Sequence, residues 1–137
     1  LNETFVKKLQ IEARVLGDMI TNHVIPTAFS FQNTLITNVK GIKELFPTEY
    51  EAMCSTQLKL IHKISGYVNR LHTLVGEMVD ARKVANKIED IPARAEAYNA
   101  TVLPYMAKIR EIADKLEMYV DDELWPLPKY RELMFFR

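Results

Sequence analysis

Hydrophobic residues recur at alternating spacings of three and four along three long stretches of the chain. This spacing places apolar side chains on one face of an α-helix, so each stretch predicts a helix that packs through a continuous seam. The first seam contains Val6, Leu9, Ala13, Leu16, Ile20 and His23. Because Pro26 cannot donate an intrahelical hydrogen bond and crowds the preceding turn, we expect a helix over residues 2 to 46 with a kink near residues 22 to 26.

The apolar seam changes phase at the expected kink. The first register would carry polar residues such as Thr27 and Thr34 into the interior. A shift by one residue buries a set that is rich in large apolar side chains instead, namely Ala28, Phe31, Leu35, Asn38, Ile42 and Leu45. We therefore predict that the second half of this helix is rotated so that the shifted face meets the core.

The second stretch has the widest apolar face. One row is formed by Ile61, Ile64, Val68, Leu71, Val75 and Met78, and a parallel row by Met53, Leu60, Tyr67, Leu74, Ala81 and Ile88. Two adjacent rows are typical of a helix that packs against two neighbours. This helix is predicted over residues 49 to 88, with Thr48 as its N-cap and Glu51 completing a capping box.

The third helix is predicted over residues 92 to 122, since Pro92 suits a first helical turn. Its inner face is formed by Tyr98, Val102, Met106, Ile109, Ala113, Leu116 and Val120, and Pro104 should bend it. Short connections make consecutive helices antiparallel. The predicted fold is therefore all-α: an elongated up-down-up three-helix antiparallel bundle over one domain, residues 1 to 137, with the first helix kinked at Pro26.

A segment rich in proline and aromatic residues, 123 to 137, follows the third helix. Pro126 and Pro128 disfavour helical geometry in the residue before them, so Trp125 and Leu127 should be extended. A large apolar side chain on a stiff extended segment is usually buried against its own domain or a neighbour. We interpret four residues of this segment as candidate packing or interface anchors: Trp125, Pro126, Tyr130 and Phe135.

The charge balance argues against several classes of partner. Lys plus Arg and Asp plus Glu both number 18, so no net field attracts nucleic acid or an anionic membrane. No apolar run approaches the roughly 18 residues of a membrane span. Cys54 is the only cysteine, which leaves it without a partner for a disulfide framework and favours a reduced, cytoplasmic setting.

The sequence offers no constellation of residues typical of catalysis. Its four glycines form no phosphate-binding loop, and His23 and His72 have no ligand partner at helical spacing. Carboxylate clusters such as Glu89-Asp90 lack a facing acid, base or nucleophile. We therefore predict no catalytic, cofactor-binding or metal-ligating residue in the chain.

Two alternative functions remain open at this point. The segment Ile61-His62-Lys63-Ile64-Ser65-Gly66 is faintly similar to histidine-phosphotransfer helices, in which a nucleophilic imidazole lies beside a cation that helps to hold the phosphoryl group. Ser65 occupies the place where that motif usually has lysine, and an ordinary surface histidine is the competing interpretation. The other alternative is a free-standing helical adaptor that binds a partner helix.

Both ends of the chain resemble one enzyme family. The segment Leu124-Trp125-Pro126-Leu127-Pro128-Lys129-Tyr130-Arg131-Glu132-Leu133-Met134-Phe135, preceded by Ile109-Arg110-Glu111-Ile112-Ala113-Asp114-Lys115-Leu116-Glu117, is similar to the extreme C-terminus of type III glutamine synthetases. Phe5-Val6-Lys7-Lys8-Leu9-Gln10-Ile11-Glu12-Ala13-Arg14-Val15-Leu16 and Asn22-His23-Val24-Ile25-Pro26-Thr27-Ala28 resemble the start of that family's C-terminal helical domain. The middle helix is generic.

This resemblance implies an ATP-dependent ligase that requires magnesium or manganese and joins ammonia to glutamate through a γ-glutamyl phosphate. In the family those ligands are bound by an upstream catalytic portion whose motifs are not matched here, so no catalytic residue is carried over. The resemblance implies that this chain is the C-terminal part of a longer one and is inactive alone. Its expected partners are the upstream catalytic domain of the same chain and neighbouring subunits.

Overall fold

A computed structural model of the protein describes residues 3–120, and these residues form helices and turns without any strand. The all-α fold class is therefore confirmed for this part of the chain. The up-down-up arrangement and the kink at Pro26 stay predictions. The four candidate anchors, Trp125, Pro126, Tyr130 and Phe135, lie outside the described residues.

Helical structure falls into three segments. The first joins α1 (Glu3–Met19), a first π turn (Ile20–Val24) and α2 (Ile25–Leu45); the second joins α3 (Tyr50–Met53) and α4 (Ser55–Asn86); the third joins α5 (Ile91–Ala97), a second π turn (Tyr98–Val102) and α6 (Leu103–Glu117). Cys54 separates α3 from α4 and is itself fully buried. α4 contacts parts of both other segments, which agrees with its wide apolar face.

Both π turns lie directly before a proline. The N–H of Ile25 donates to the carbonyl of Ile20, and Pro26 is the next residue. In a regular α-helix the ring of Pro26 would crowd the carbonyl four residues earlier, and a wider turn relieves this contact. Where the sequence predicts a kink, the structure has a local change from α-helical to π-helical hydrogen bonding.

The second π turn repeats this arrangement in the third segment. The N–H of Leu103 donates to the carbonyl of Tyr98, and Pro104 follows. A threonine hydroxyl near each π turn donates to the carbonyl four residues earlier: Thr27 Oγ1 of α2 to that of His23, and Thr101 Oγ1 of the second π turn to that of Ala97, each at 2.6 Å. These hydroxyls satisfy carbonyls close to the interrupted ladder.

The first π turn changes the phase of the apolar face in the predicted direction. Ala28 is buried, and Phe31 and Leu35 pack against the core. Three residues assigned to the seam are wrong, and one of them is Asn38, a polar residue whose side chain is exposed. His23 is exposed and Val24 is buried instead, because the additional residue of the π turn advances the buried position by one. Leu45 is 74% exposed, since it is the last residue of α2 and no described residue covers it.

The predicted capping box before the second segment is also wrong. Helix α3 begins at Tyr50 with Glu49 as its N-cap, and no side chain caps it. The carbonyl of Phe46 accepts from the N–H groups of Glu49 at 3.2 Å and Tyr50 at 3.0 Å. A backbone turn therefore precedes the helix where Thr48 was expected to cap it. The next connection is capped by a side chain, because Asp90 accepts from the N–H of Ala93 at 3.0 Å.

The core is one continuous cluster to which all three segments contribute. Every predicted inner-face residue of the third helix is buried. From the second segment the buried members are Ile64, Val68, Leu71, Leu74, Met78 and Ala85, while Met53 is 49% exposed and was assigned to the interior wrongly. Met53 lies in the short helix α3, which the sequence pattern did not separate from α4.

Side-chain hydrogen bonds connect the segments at two places. Asn86, at the end of α4, accepts through Oδ1 from Gln10 Nε2 of α1 at 2.9 Å and from the hydroxyl of Tyr98 in the second π turn. Between α2 and α4, Gln32 Nε2 donates to the carbonyl of Ile61 at 2.9 Å and to Ser65 Oγ at 2.7 Å. Directional bonds of this kind fix the register of packed helices.

Candidate interaction surfaces

The surroundings of His62 provide no phosphotransfer geometry. His62 is exposed on α4. The ammonium of the neighbouring Lys63 lies 5.3 Å from the ring centroid of Tyr119 and 3.4 Å from its hydroxyl. Tyr119 in turn stacks on Tyr67 with 6.3 Å between ring centroids. The basic residue that such a motif needs beside the imidazole therefore serves a contact between α4 and the end of the third segment.

Residues 3–120 contain neither a cluster of metal ligands nor a helix that could span a membrane. In this part of the chain no group of three or more His, Cys, Asp and Glu side chains is arranged to hold a metal ion. The residues present therefore do not fit a divalent metal, and no step of chemistry through one is derived for them. Likewise, no helix in the described part has the length and apolarity to cross a bilayer.

A groove between α1 and α6 exposes aliphatic side chains. It has a volume of about 330 Å³ and is lined by Ile11, Glu12, Val15, Leu16, Met19 and Arg110. Ile11 is 65% exposed and Val15 is 55% exposed, one helical turn apart. We call Ile11, Val15, Leu16 and Met19 the α1 face. Two aliphatic residues this exposed on adjacent turns suit a contact with another apolar surface.

Arg110 of α6 lines the groove beside the α1 face, and other charged residues of α6 interact with one another. Partial burial raises the pKa of the Asp114 carboxyl, and the charge of Arg110 partly opposes this rise. The pKa of Glu111 is lowered, first by its hydrogen bond to Lys108 at 3.3 Å and also by Lys115, whose ammonium lies 3.5 Å away. Ion pairs this exposed contribute little to stability.

A second apolar patch lies where α2 meets α3. Leu45, Phe46 and Met53 are 74%, 43% and 49% exposed, and the ammonium of Lys43 lies 5.1 Å from the ring centroid of Tyr50 beside them. A third groove, between α4 and the part of the third segment where the second π turn meets α6, has a volume of about 420 Å³ and includes Val84 and Tyr105. Val84 is 66% exposed but has no equally exposed aliphatic neighbour in that groove.

A fourth groove, between α1 and α4, differs from the others because it contains two guanidinium groups. We call it the arginine groove. Its volume is about 320 Å³, and its lining residues are Ala13, Arg14, Gly17, Asp18, Thr21, Asn22, Val75, Met78, Val79 and Arg82. Within residues 3–120, the buried Nε of Arg82 has no hydrogen-bond partner.

Sequence reasoning missed these surfaces for different reasons. Ile11 and Val15 are apolar residues one helical turn apart that do not belong to the predicted seam. This spacing is visible in the sequence and could have indicated a second apolar surface on α1. Arg14 and Arg82 are 68 residues apart in a chain with 18 basic residues, so only the packing of α1 against α4 brings them together.

The known proteins that resemble this chain belong to one enzyme family. Residues 1–43 match the profile of the family described as the glutamine synthetase C-terminal domain. A protein from Bacteroides fragilis (strain YCH46) named glutamine synthetase is 50% identical over 97% of this chain and 18% of its own length. One from Dictyostelium discoideum named type-3 glutamine synthetase is 28% identical over 100% of this chain and 19% of its own length.

The chain thus spans about one fifth of the length of the curated relatives it matches. One of these relatives aligns with nearly the whole chain at half identity, and the family profile covers the first segment as far as α2. The resemblance to type III glutamine synthetases is thereby confirmed, and this chain is related to the C-terminal domain of the glutamine synthetase family.

Proposed function

We propose that this chain is the non-catalytic C-terminal helical domain of a type III glutamine synthetase and has a structural role in assembly of that enzyme. The enzyme would make glutamine from glutamate, ammonia and ATP in the cytoplasm. The observation that carries this proposal is the 50% identity over 97% of the chain to a protein named glutamine synthetase. ATP and magnesium or manganese would bind to the remainder of the enzyme, and this part alone would be inactive.

The partners in this proposal are the upstream catalytic domain of the same chain and neighbouring subunits. The α1 face is the surface we assign to the catalytic domain. Its support is the exposure of Ile11 and Val15, at 65% and 55%, on a helix whose opposite side is already buried in the core. A helix with apolar residues on two sides is suited to packing against two bodies.

The three segments would form an up-down-up bundle with the first helix kinked at Pro26. Antiparallel pairing of α2 and α4 is supported by their hydrogen bonds, in which Gln32 meets Ile61 and Ser65 whereas Asn38 accepts from Gln57 at 2.8 Å. Pairing of α4 with the third segment is supported by Asn86 with Tyr98 at one end and Lys63 with Tyr119 at the other. In both pairs, residue numbers increase along one helix in the direction in which they decrease along its partner, as expected for antiparallel helices.

The α1 face provides the first test. In the longer protein that carries this chain, the double substitution Ile11→Glu and Val15→Glu is expected to weaken docking tenfold or more, because two aliphatic side chains would lose their apolar contact. Hydrogen–deuterium exchange of residues 11 to 19 in the longer protein measures the docking, and circular dichroism checks that helicity is kept. Val84→Glu is the matched control, since Val84 is equally exposed at 66% but lies on another face. Equal effects of the two changes would reject the α1 face as the docking surface.

The C-terminal segment provides the second test. Truncation after Leu124 removes Trp125, Pro126, Tyr130 and Phe135, and we expect it to weaken assembly of the full enzyme while the separate 137-residue chain, shortened in the same way, stays helical. Sedimentation velocity and circular dichroism provide the measurements. Arg131→Ala in the full enzyme is the control, because it changes the same segment without removing an anchor. An assembly state that truncation leaves unchanged would refute the role of these residues.

A further inference from the structure

The second half of α2, α3 and the first turns of α4 form a hairpin that has little core of its own. We call residues 29–63 the hairpin. Its two long helices contact each other, since Asn38 accepts from Gln57 and Gln32 donates to the carbonyl of Ile61. Apart from Cys54, however, no residue of the hairpin is buried. Pairs of helices need a further apolar layer to be stable in water, so this part of the fold is suited to receiving one.

One row of side chains shows which side of the hairpin needs cover. Every seventh residue of the second segment lies on nearly the same side of the helical axis: Leu74, Tyr67, Leu60 and Met53. Leu74 is buried, and Tyr67 stacks on Tyr119 at the end of the third segment. Leu60 is partly exposed, Met53 is 49% exposed, and neither belongs to the core cluster. The row therefore continues beyond Tyr119, the described residue that covers Tyr67.

The chain after Val120 is well placed to cover the rest of this row. Tyr98 contacts Asn86 and Tyr119 contacts Lys63, so the third segment advances along α4 toward the hairpin. Residues 121–137 span about 25 Å as a helix and more than about 50 Å when extended. Lys63 and Met53 are only about 15 Å apart at 1.5 Å per helical residue. The remaining chain can reach the end of the hairpin in either conformation.

The composition of residues 121–137 complements this surface. The segment is rich in large apolar side chains, including Trp125 and Tyr130, and it begins with Asp121-Asp122-Glu123. Lys59 and Lys63 lie one helical turn apart on α4, next to the end of the third segment. Within residues 3–120 neither lysine forms an ion pair with a carboxylate. Acidic residues followed by apolar ones thus leave Val120 beside two lysines followed by an apolar row.

We propose that residues 121–137 pack on the hairpin of their own copy of the chain and cover Leu60 and Met53. Burial of Trp125 and its aromatic neighbours against this row supplies the driving force. The packing also removes an apolar patch from the surface. It concerns this chain alone and does not depend on the proposed glutamine synthetase role, because truncation would then affect assembly only through the hairpin.

Site-specific photocrosslinking tests this packing in the longer protein that carries this chain. Trp125→p-benzoylphenylalanine places a photoreactive group in the segment, and Tyr130→p-benzoylphenylalanine is a second variant in case the first disturbs the contact. Each protein is assembled from a mixture of unlabelled and ¹⁵N-labelled copies, irradiated, and analysed by mass spectrometry of tryptic peptides. We expect cross-links to peptides of the hairpin that carry the same label as the segment. Met118→p-benzoylphenylalanine is the control, and its yield with these peptides should be at least tenfold lower because Met118 is 78% exposed.

Substitutions on the hairpin provide the second arm of the test. Met53→Glu together with Leu60→Glu is expected to lower the cross-link yield tenfold or more, because an apolar row would become charged. Val84→Glu, on another face of α4, should leave the yield unchanged, and circular dichroism checks that each variant keeps its helicity.

Three results would overturn the proposal. Cross-links between differently labelled copies would mean that the segment covers a neighbouring subunit. Cross-links that map only outside residues 29–63, or none from either position, would mean that the segment does not lie on the hairpin. A yield that the two glutamates leave unchanged would mean that Met53 and Leu60 do not form its contact surface.

Discussion

Replacing Leu71 by alanine is expected to lower the free energy of unfolding by about 2 to 5 kcal/mol, the range for creating a cavity in a packed core. Leu71 is fully buried in α4, the helix that contacts both other segments. Because its neighbours are closely packed, they cannot move far enough to fill the cavity that alanine would leave. Urea unfolding of the 137-residue chain, followed by circular dichroism, measures the change.

His72→Ala is the matched control for this substitution. His72 is the next residue of α4 and is exposed, so its truncation should alter the free energy of unfolding by less than about 0.5 kcal/mol. If Leu71→Ala and His72→Ala had equally small effects, the assignment of Leu71 to the interior would be wrong, and so would the packing of the segments around α4.

Deleting Asn22 from the first π turn, together with Pro26→Ala, is expected to leave the domain folded. A π turn contains one residue more than an α-helical turn, so removing an exposed residue from it restores α-helical geometry and keeps both flanking apolar faces in phase. Pro26 is replaced because a regular α-helix would not accommodate its ring. We expect a change of less than about 1 kcal/mol relative to Pro26→Ala alone, since no core contact is lost.

Deleting Asn33 in the same Pro26→Ala background is the control. Asn33 is also exposed but lies within regular α2, so its loss rotates the following residues by about 100° and carries Leu35 away from the core. It is expected to lower the free energy of unfolding by at least about 2 kcal/mol, as several partly buried aliphatic side chains become exposed. Equal loss of stability in both deletions would contradict the phase relation across the π turn.

The buried residues could be predicted from sequence where the apolar residues of a helix all lie on one face. All inner-face positions of the third helix are buried, because an uninterrupted spacing of three and four describes them across Pro104. The predictions fail where local hydrogen bonding changes. At His23 a π turn changes which residue faces inward, and at Thr48 a backbone turn replaces a side-chain cap. The spacing of apolar residues does show the change of phase near Pro26, but it does not show at which residue the change occurs, and it contains no signal for the backbone turn.

The candidate surfaces were less accessible to sequence reasoning. The sequence pattern favours Trp125 and the C-terminal segment as a contact surface, and this segment lies outside the described residues. The arginine groove depends on which face of α1 meets α4, and helical periodicity alone does not determine the rotation of one helix against another. His62, which local sequence did single out, lies beside a lysine that contacts Tyr119.

Asn86 joins helical segments close to the surface that we assign to docking. One side-chain carbonyl offers two lone pairs, and here both are used by donors from different segments, Gln10 and Tyr98. Gln10 is the neighbour of Ile11 on α1. A partner that covers Ile11 would therefore bind next to a point where one amide oxygen joins α1, α4 and the second π turn.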